Sequence, residues 1–335
     1  MGLAPQSIVE TPAVWDGEDH DFAYKLRRVT EAAARAAFAW AGRGEHGHGD
    51  SLAVRAMRQA LDTLPMHARI VVGDGEDDQS GGLMTGTEIG DPHAGLQFDV
   101  AVDPVEGISY LARGMTNAMA VIALGPRGTM LDPGPSFYME KLVAPAAAEG
   151  RIDPAMNVEE RLETLAEALG KSVANLTVFV LEKPRHRNLV ERIHGAGARV
   201  ALYPAGDVAG ALMAATPESG IDALMGTGGT REGLISACAI RAMGGVFHAR
   251  FDPQLATEKA AVAKAKMDTT HWYDAKDLIT SEQVYFAATG ITTGLLFKGV
   301  EQTRWSENTE SLILAGPGRV REMITAHHRL EGGAS

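Results

Sequence analysis

Apolar positions along this chain change period from one stretch to the next, and each change marks an element. Residues 1–21 show no sustained period and are expected to form a loose arm. From about Asp21, a plausible helix cap, to Trp40, the apolar residues Leu26, Val29, Ala33 and Ala37 recur at the spacing of one helical face. The stretch GRGEHGHGD, Gly42 to Asp50, is too rich in glycine to be expected as helix. A second helix, SLAVRAMRQAL, is predicted after it, with Asp50 as its N-cap. A short strand, RIVVG, leads into the acidic loop DGEDD and a glycine-rich stretch. Then come strand FDVAV running into DPVEG, strands MAVIAL and TML joined by a Gly-Pro-Arg-Gly turn, and a strand around MEKLVA that is expected to close this half.

Beyond PAAAEGRIDPAMN the rhythm alternates. Helix VEERLETLAEAL, stopped by Gly170, is followed by strand LTVFVL, helix NLVERIHGAG, strand RVALY, helix DVAGALMAA, strand DALMG and helix EGLISACAIRAMGG. Such βαβα order predicts a mostly parallel sheet with helices on both faces. The tail is expected to return with strands near Val284–Ala288 and Leu312–Leu314, then a helix over VREMITAHHRL, where His327 and His328 would favour its C-terminus. The domain reading is an arm at 1–21, a mixed α+β half at 22–150 and an α/β half at 151–335. The last fifty residues are free to join either sheet.

Composition narrows the function classes. The 335 residues are 45% hydrophobic and 22% charged, ordinary for a globular protein with a large core. No apolar run is long enough to span a membrane, and the acidic start lacks the basic and apolar regions of a secretory signal. A net charge of −12 argues against extended binding to a nucleic-acid backbone. The single cysteine, Cys238, excludes an internal disulfide and a cysteine-based zinc site. A cytoplasmic setting is the expectation.

The chemistry concentrates at strand ends. Strand FDVAV delivers Asp99, then Asp103 and Glu106, where a cluster of carboxylates is costly without a cation. Hard ions such as Mg²⁺ or Mn²⁺ prefer those oxygens. An ordinary turn, with Asp103 as helix cap and Glu106 in water, accounts equally well for DPVE taken alone. Asp74 lies between glycines in a second acidic loop, Asp50 caps a helix, and Glu232 follows strand DALMG. Each has a bland reading, as solvated loop or cap, but four separated carboxylates at segment ends weigh more than one. The pair His46 and His48 reads better as exposed loop histidines than as transition-metal ligands. GTGGTREG has the wrong glycine spacing for a dinucleotide-binding turn.

Taken together, RVTEAAARAAFAWAGRG, GDGEDD, DVAVDPVEG, NAMAVIALG, FYMEKLV, EKPRH, PAGDVAG, GTGGTREGLISA and FAATGITTG resemble the class II fructose-1,6-bisphosphatases, within the lithium-sensitive phosphatase superfamily. The resemblance covers the chain from about residue 22. It implies a layered α-β-α-β-α sandwich, mixed in its N-terminal sheet and mostly parallel in its C-terminal one. It implies a metal-dependent phosphatase acting on a sugar phosphate, with two or three Mg²⁺ or Mn²⁺ ions, working in gluconeogenic carbohydrate metabolism as a homodimer or homotetramer. Asp50, Asp74, Asp103, Glu106 and Glu232 match its metal ligands, with Asp99 a structural or supporting acid. Tyr138, Lys183, Arg185 and Asp207 match its sugar-phosphate contacts, although KPRHR alone would pass for a solvated basic loop, Tyr138 for a core aromatic and Asp207 for a cap. Glu76 and Asp78 are similar to acids that orient or deprotonate the nucleophile.

The sequence also departs from that pattern. A threonine that assists the attacking water is Ile108 here, with Ser109 next to it but turned by roughly 100° if the segment is helical. A glutamate is replaced by the shorter Asp74, a lysine by His46 and an aspartate by Ala205, and the stretch after the Glu232 helix is shortened to GGVFHARFD. These changes point to altered specificity, which leaves open a phosphatase for another sugar or nucleoside phosphate, or a catalytically weak sugar-phosphate-binding protein.

Overall fold

The computed structural model describes residues 17–45, 47–74, 82–217, 219–316 and 320–330. The described elements begin with α1 (Gly17–Phe38) and α2 (Gly47–Leu61), then β1 (His67–Val72), β2 (Glu88–Gly90), β3 (Gln97–Glu106), α3 (Ile108–Arg113), β4 (Met119–Pro126) and β5 (Tyr138–Ala144). The alternating middle follows as α4 (Val158–Leu169), β6 (Thr177–Leu181), α5 (Arg187–Gly195), β7 (Arg199–Tyr203), α6 (Asp207–Ala215), β8 (Ala223–Gly229), α7 (Thr230–Met243) and β9 (Val246–Phe251). Last come α8 (Ala256–Lys264), β10 (Tyr273–Asp274), α9 (Ala275–Leu278), β11 (Tyr285–Gly290), β12 (Glu301–Gln302), β13 (Ser306–Ala315) and β14 (Val320–Arg329).

The strands form two mixed sheets. One runs β12-β13-β11-β4-β3-β1-β2, with β14 paired along β13, and the other runs β10-β9-β5-β8-β6-β7. Alternation along β3 shows the layering: Val100 and Val102 pack against α1 and α2, while Ala101 faces the space between the sheets. Helix α1 already starts at Gly17, so Asp21 lies inside it and is not its cap; the predicted face of α1, Leu26, Val29, Ala33 and Ala37, is wholly buried on the first sheet. Between the sheets lies α7, apolar around most of its surface from Leu234 to Ile240, because both of its flanks meet a sheet. Cys238 sits there fully buried, and desolvation pushes its thiol up to about 12. On the far face of the second sheet, Leu162, Leu165 and Ile193 of α4 and α5 cover Val178, Val180 and Leu142. The result is the α-β-α-β-α sandwich the sequence implied.

Several local expectations are revised. Gly47 to Asp50 form the first turn of α2, so Asp50 lies inside the helix and is not its cap. Gly49 has no side chain to spare there, since a Cβ would press on Trp40 and Leu111. The TML strand reduces to a bridge between Met130 and Ile279. Strand β5 does not join the first sheet; it pairs with β8 and β9 in the second. The second sheet is mixed, not mostly parallel: β7-β6-β8 are parallel as predicted, and β5, β9 and β10 are added antiparallel, because β5 enters from the first half of the chain in the opposite direction.

The segment VREMITAHHR is not a helix but β14, paired residue by residue with β13 from Ser306–Arg329 to Ala315–Val320. Its exposure alternates strictly, with Val320 and Ile324 against the core and Arg321 and Met323 outward. Adjacent apolar residues at Met323 and Ile324 fit either period, and the partner strand decides between them. His327 and His328 therefore cap nothing. His328 Nε2 is 2.9 Å from the Thr309 hydroxyl, and His327 Nδ1 is 2.7 Å from Asn308 Oδ1.

Candidate active site

Parallel strands place their carboxyl ends together, and here two parallel sets do so on one side of the molecule. The ends of β1 and β3 in one sheet, and of β6, β7 and β8 in the other, open onto a cavity of about 820 Å³. Strand β5 runs the other way, so its first residue, Tyr138, lies opposite Gly229 at the same mouth. Crevices at the carboxyl ends of α/β sheets are the usual place for ligands. Of the sequence-predicted residues, Asp74, Asp103, Glu106, Ser109, Tyr138, Lys183, Arg185, Asp207 and Glu232 all line this cavity. Asp50 stands behind it, within reach of the charges of Asp74 and Arg231. Glu76 and Asp78 lie outside the described residues, as does His46. His48 stacks on Trp40, with centroids 4.8 Å apart, and pairs with Glu45 away from the cavity.

Strand β3 carries the acidic wall. It continues through Pro104 to Glu106, with a register shift against β4 between Asp103 and Glu106 that brings both acids inward. Gly107, at φ 83°, then turns the chain into α3, a conformation that a residue with a Cβ adopts only under strain. Asp103 and Glu106 are almost wholly buried. Burial, opposed by Arg231 and reinforced by Glu232, Asp74 and Asp50, pushes the Asp103 carboxyl up to about 7. Glu106 is held well above the usual carboxylate range by burial and by Asp103, against the pull of a hydrogen bond from the Asp207 backbone N–H. Asp50 is raised to about 6, first by burial and then by Asp74.

Asp99, four residues earlier, belongs elsewhere. Its Oδ2 accepts the backbone N–H groups of Gly128 (2.6 Å) and Met130 (3.2 Å) and so pins the turn after β4.

Two cations that the sequence reading missed pair with acids of this cavity. Arg231, in the first turn of α7, places Nη1 2.8 Å from Asp74 Oδ1 and Nη2 3.4 Å from Asp103 Oδ2 and 3.7 Å from Glu232 Oε1. Lys141, on β5 and fully buried, pairs with Asp207 and donates to the Gly229 carbonyl at 2.7 Å. Each left a trace in the sequence. A basic residue in a first helical turn opposes the helix dipole, and a lysine between inward-facing Met139 and Val143 needs a buried partner. The backbone of β8 passes so close that a Cβ at Gly228 would strike the Asp207 carboxylate and one at Gly229 that of Glu232.

The basic wall is built differently. Arg185 lies 4.9 Å over the Tyr138 ring, and its Nε and Nη2 donate to the Thr227 carbonyl at 3.0 and 2.8 Å. His186 locks this corner: Nδ1 donates to the Leu181 carbonyl at 2.6 Å, and Nε2 accepts the Thr227 N–H at 2.8 Å. A ring nitrogen that accepts a backbone N–H carries no proton, so His186 is neutral, and burial lowers its pKa accordingly. Tyr110 donates to the Ala205 carbonyl at 2.6 Å and accepts the Ala205 N–H at 3.0 Å, fixing the loop before α6. Ile108 lines the cavity while packing against the first-sheet core, and Ser109 lines it too.

Hard oxygen donors crowd the acidic wall, and two of them, Asp103 Oδ1 and Glu106 Oε2, are buried without a hydrogen-bond partner among the described residues. Orphaned carboxylate oxygens fit a hard divalent cation. Among the described residues no three His, Cys, Asp or Glu side chains already enclose one point; three of the five acids converge on Arg231 instead.

A family model described as bacterial fructose-1,6-bisphosphatase, glpX-encoded, matches residues 20–328. The class 2 fructose-1,6-bisphosphatase of Haemophilus influenzae is 38% identical over 322 residues, covering 92% of this chain and 96% of its own. A class 2 D-fructose 1,6-bisphosphatase/sedoheptulose 1,7-bisphosphatase 2 of Acaryochloris marina is 37% identical over 337 residues, covering 93% and 97%. A D-fructose 1,6-bisphosphatase class 2/sedoheptulose 1,7-bisphosphatase of Synechococcus sp. is 36% identical over 338 residues, covering 94% and 97%.

Two outcomes follow from the buried pairs. Lys141→Met leaves the Asp207 carboxylate buried without its cation and should cost about 3–5 kcal/mol in urea unfolding, whereas Lys141→Met with Asp207→Leu should recover most of it. For His186 the folded pKa lies below the unfolded value near 6.5, so the unfolded chain binds more protons as pH falls. Its share of stability is present above pH 6.5 and is lost on acidification. Side-chain NMR should show the His186 ring titrating below 6.5 from the Nδ1-protonated tautomer.

Proposed function

The chain belongs to the family of bacterial, glpX-encoded fructose-1,6-bisphosphatases, and from that premise we propose how its cavity works. It is a metal-dependent phosphoric monoester hydrolase of the class II fructose-bisphosphatase type, acting on a sugar phosphate. One observation carries the assignment of roles: a single cavity has Asp74, Asp103, Glu106 and Glu232 on one wall and Lys183 and Arg185 on another. Acids without enough cations call for metal, and a fork of guanidinium donors beside an ammonium suits a phosphate.

On this reading Asp50, Asp74, Asp103, Glu106 and Glu232 hold the divalent metal, Mg²⁺ or Mn²⁺, with two or three ions at full complement. Bound there, the metal supplies Lewis acidity that polarises phosphoryl oxygens and lowers the pKa of water. Lys183 and Arg185 receive the phosphorylated sugar. Arg185 is aimed in advance by Thr227 and Tyr138, so little side-chain freedom is lost on binding. Asp207, whose carboxyl is pushed up by burial against the opposing pull of Lys141, offers the sugar an acceptor oxygen. Glu76 and Asp78 orient or deprotonate the nucleophile, and Ser109 supplies the hydroxyl that Ile108 lacks. The N-termini of α6 and α7 face the cavity and favour an anion. We place the enzyme in the cytoplasm, as a homodimer or homotetramer. Among the described residues no helix is long and apolar enough to cross a membrane.

Phosphate release from fructose 1,6-bisphosphate, sedoheptulose 1,7-bisphosphate and a panel of sugar monophosphates, with Mg²⁺ or Mn²⁺, tests this reading. Release is expected from at least one bisphosphate, and both a chelator and Asp103→Ala should abolish it. Full activity in Asp103→Ala would overturn the ligand assignment, and silence across the panel would overturn the hydrolytic one. Ile108→Thr should raise the rate on fructose 1,6-bisphosphate, by up to about 10²-fold if general-base assistance is restored. An unchanged rate would mean that Ser109 already provides it.

A further inference from the structure

Arg231 stands where the fold should least favour a cation. It is the second residue of α7, in the first turn, where the aligned peptide dipoles present positive charge. It is held there by acids from three separate elements: Asp74 after β1, Asp103 on β3 and Glu232 beside it on α7. These are three of the five carboxylates read above as metal ligands. Divalent ions of this kind bind oxygen at about 2.0–2.2 Å. An ion shared by Asp74 Oδ1 and Asp103 Oδ2 would need the space that the guanidinium nitrogens fill at 2.8 and 3.4 Å.

The other side of the cluster is open. Asp103 Oδ1 and Glu106 Oε2 are buried and have no hydrogen-bond partner among the described residues. The cluster is thus divided, with one part already neutralised by a covalently tethered cation and one part left for metal.

We infer that the Arg231 guanidinium takes the place of one divalent ion in this site, so that the chain binds one ion fewer than its carboxylates would otherwise hold. The inference rests on the reading of those carboxylates as metal ligands. Its chemical consequence is a fixed single positive charge where an exchangeable double one would sit. That charge is supplied at any metal concentration, but it is a weaker polariser of a phosphoryl group.

Counting Mn²⁺ bound per chain, by equilibrium dialysis with electron paramagnetic resonance of the free ion, tests it directly. Wild type and Arg231→Lys should bind the same number, and Arg231→Gln, which is shorter and loses the charge, should bind one more. Equal non-zero counts in wild type and Arg231→Gln would overturn the inference while leaving the metal site standing. No bound Mn²⁺ in any of the three would overturn both. Melting temperature gives a second readout. The Mn²⁺-induced rise should be larger in Arg231→Gln than in wild type, and an equal rise counts against the inference. If metal-free Arg231→Gln does not fold, refolding on addition of Mn²⁺ supports it and failure to refold with Mn²⁺ overturns it.

Discussion

Two buried carboxylates at the end of one strand set the terms for everything around them. Asp103 and Glu106 are carried inward by β3, whose preceding residues belong to the core. Burying one uncompensated carboxylate costs several kcal/mol, and here two sit three residues apart. The surroundings answer with Arg231 on the first wall, the Asp207 N–H at Glu106, and the N-termini of two longer helices directed at the same cavity. The compensation is incomplete, as the two orphaned oxygens and the raised pKa values of Asp103 and Glu106 show. That shortfall is what suits the site to metal.

The opposite wall meets a different requirement, which is rigidity. Arg185 has two of its donors engaged by one carbonyl and its face on a tyrosine ring, and the carbonyl's own residue is bonded to a histidine of fixed tautomer. Such a chain of contacts keeps a long side chain in one place before any anion arrives. Close approach of β8 to the acids, possible only because Gly228 and Gly229 lack side chains, brings the two walls within one cavity.

Much of this was legible along the chain. The α1 face, the helix stopped by Gly170 and the βαβα order through residue 243 follow from short-range periodicity, which a strand or helix imposes regardless of its neighbours. Nine of the singled-out site residues line one cavity, because acids and bases placed at strand ends share a location once the strands are parallel. The misreadings have a common cause as well. VREMITAHHR fits two periods, and only pairing with β13 selects one. Gly47 to Asp50 become helical because Gly49 must pack closely on Trp40 and Leu111, contacts made by side chains distant in sequence or across a turn.

By itself, the sequence determined the family and most of the order of elements, since these depend on residue type and local spacing. Tertiary structure alone decided which charges meet. The partners of Arg231 and Lys141 are set only when β1, β3 and α7 bring Asp74, Asp103 and Glu232 around the first, and α6 brings Asp207 to the second. Coulombic interaction depends on distance through space, and separation along the chain says nothing of it. The acids at the strand ends are therefore a property of the sequence, but their meeting with one another and with Arg231 is a property of the fold.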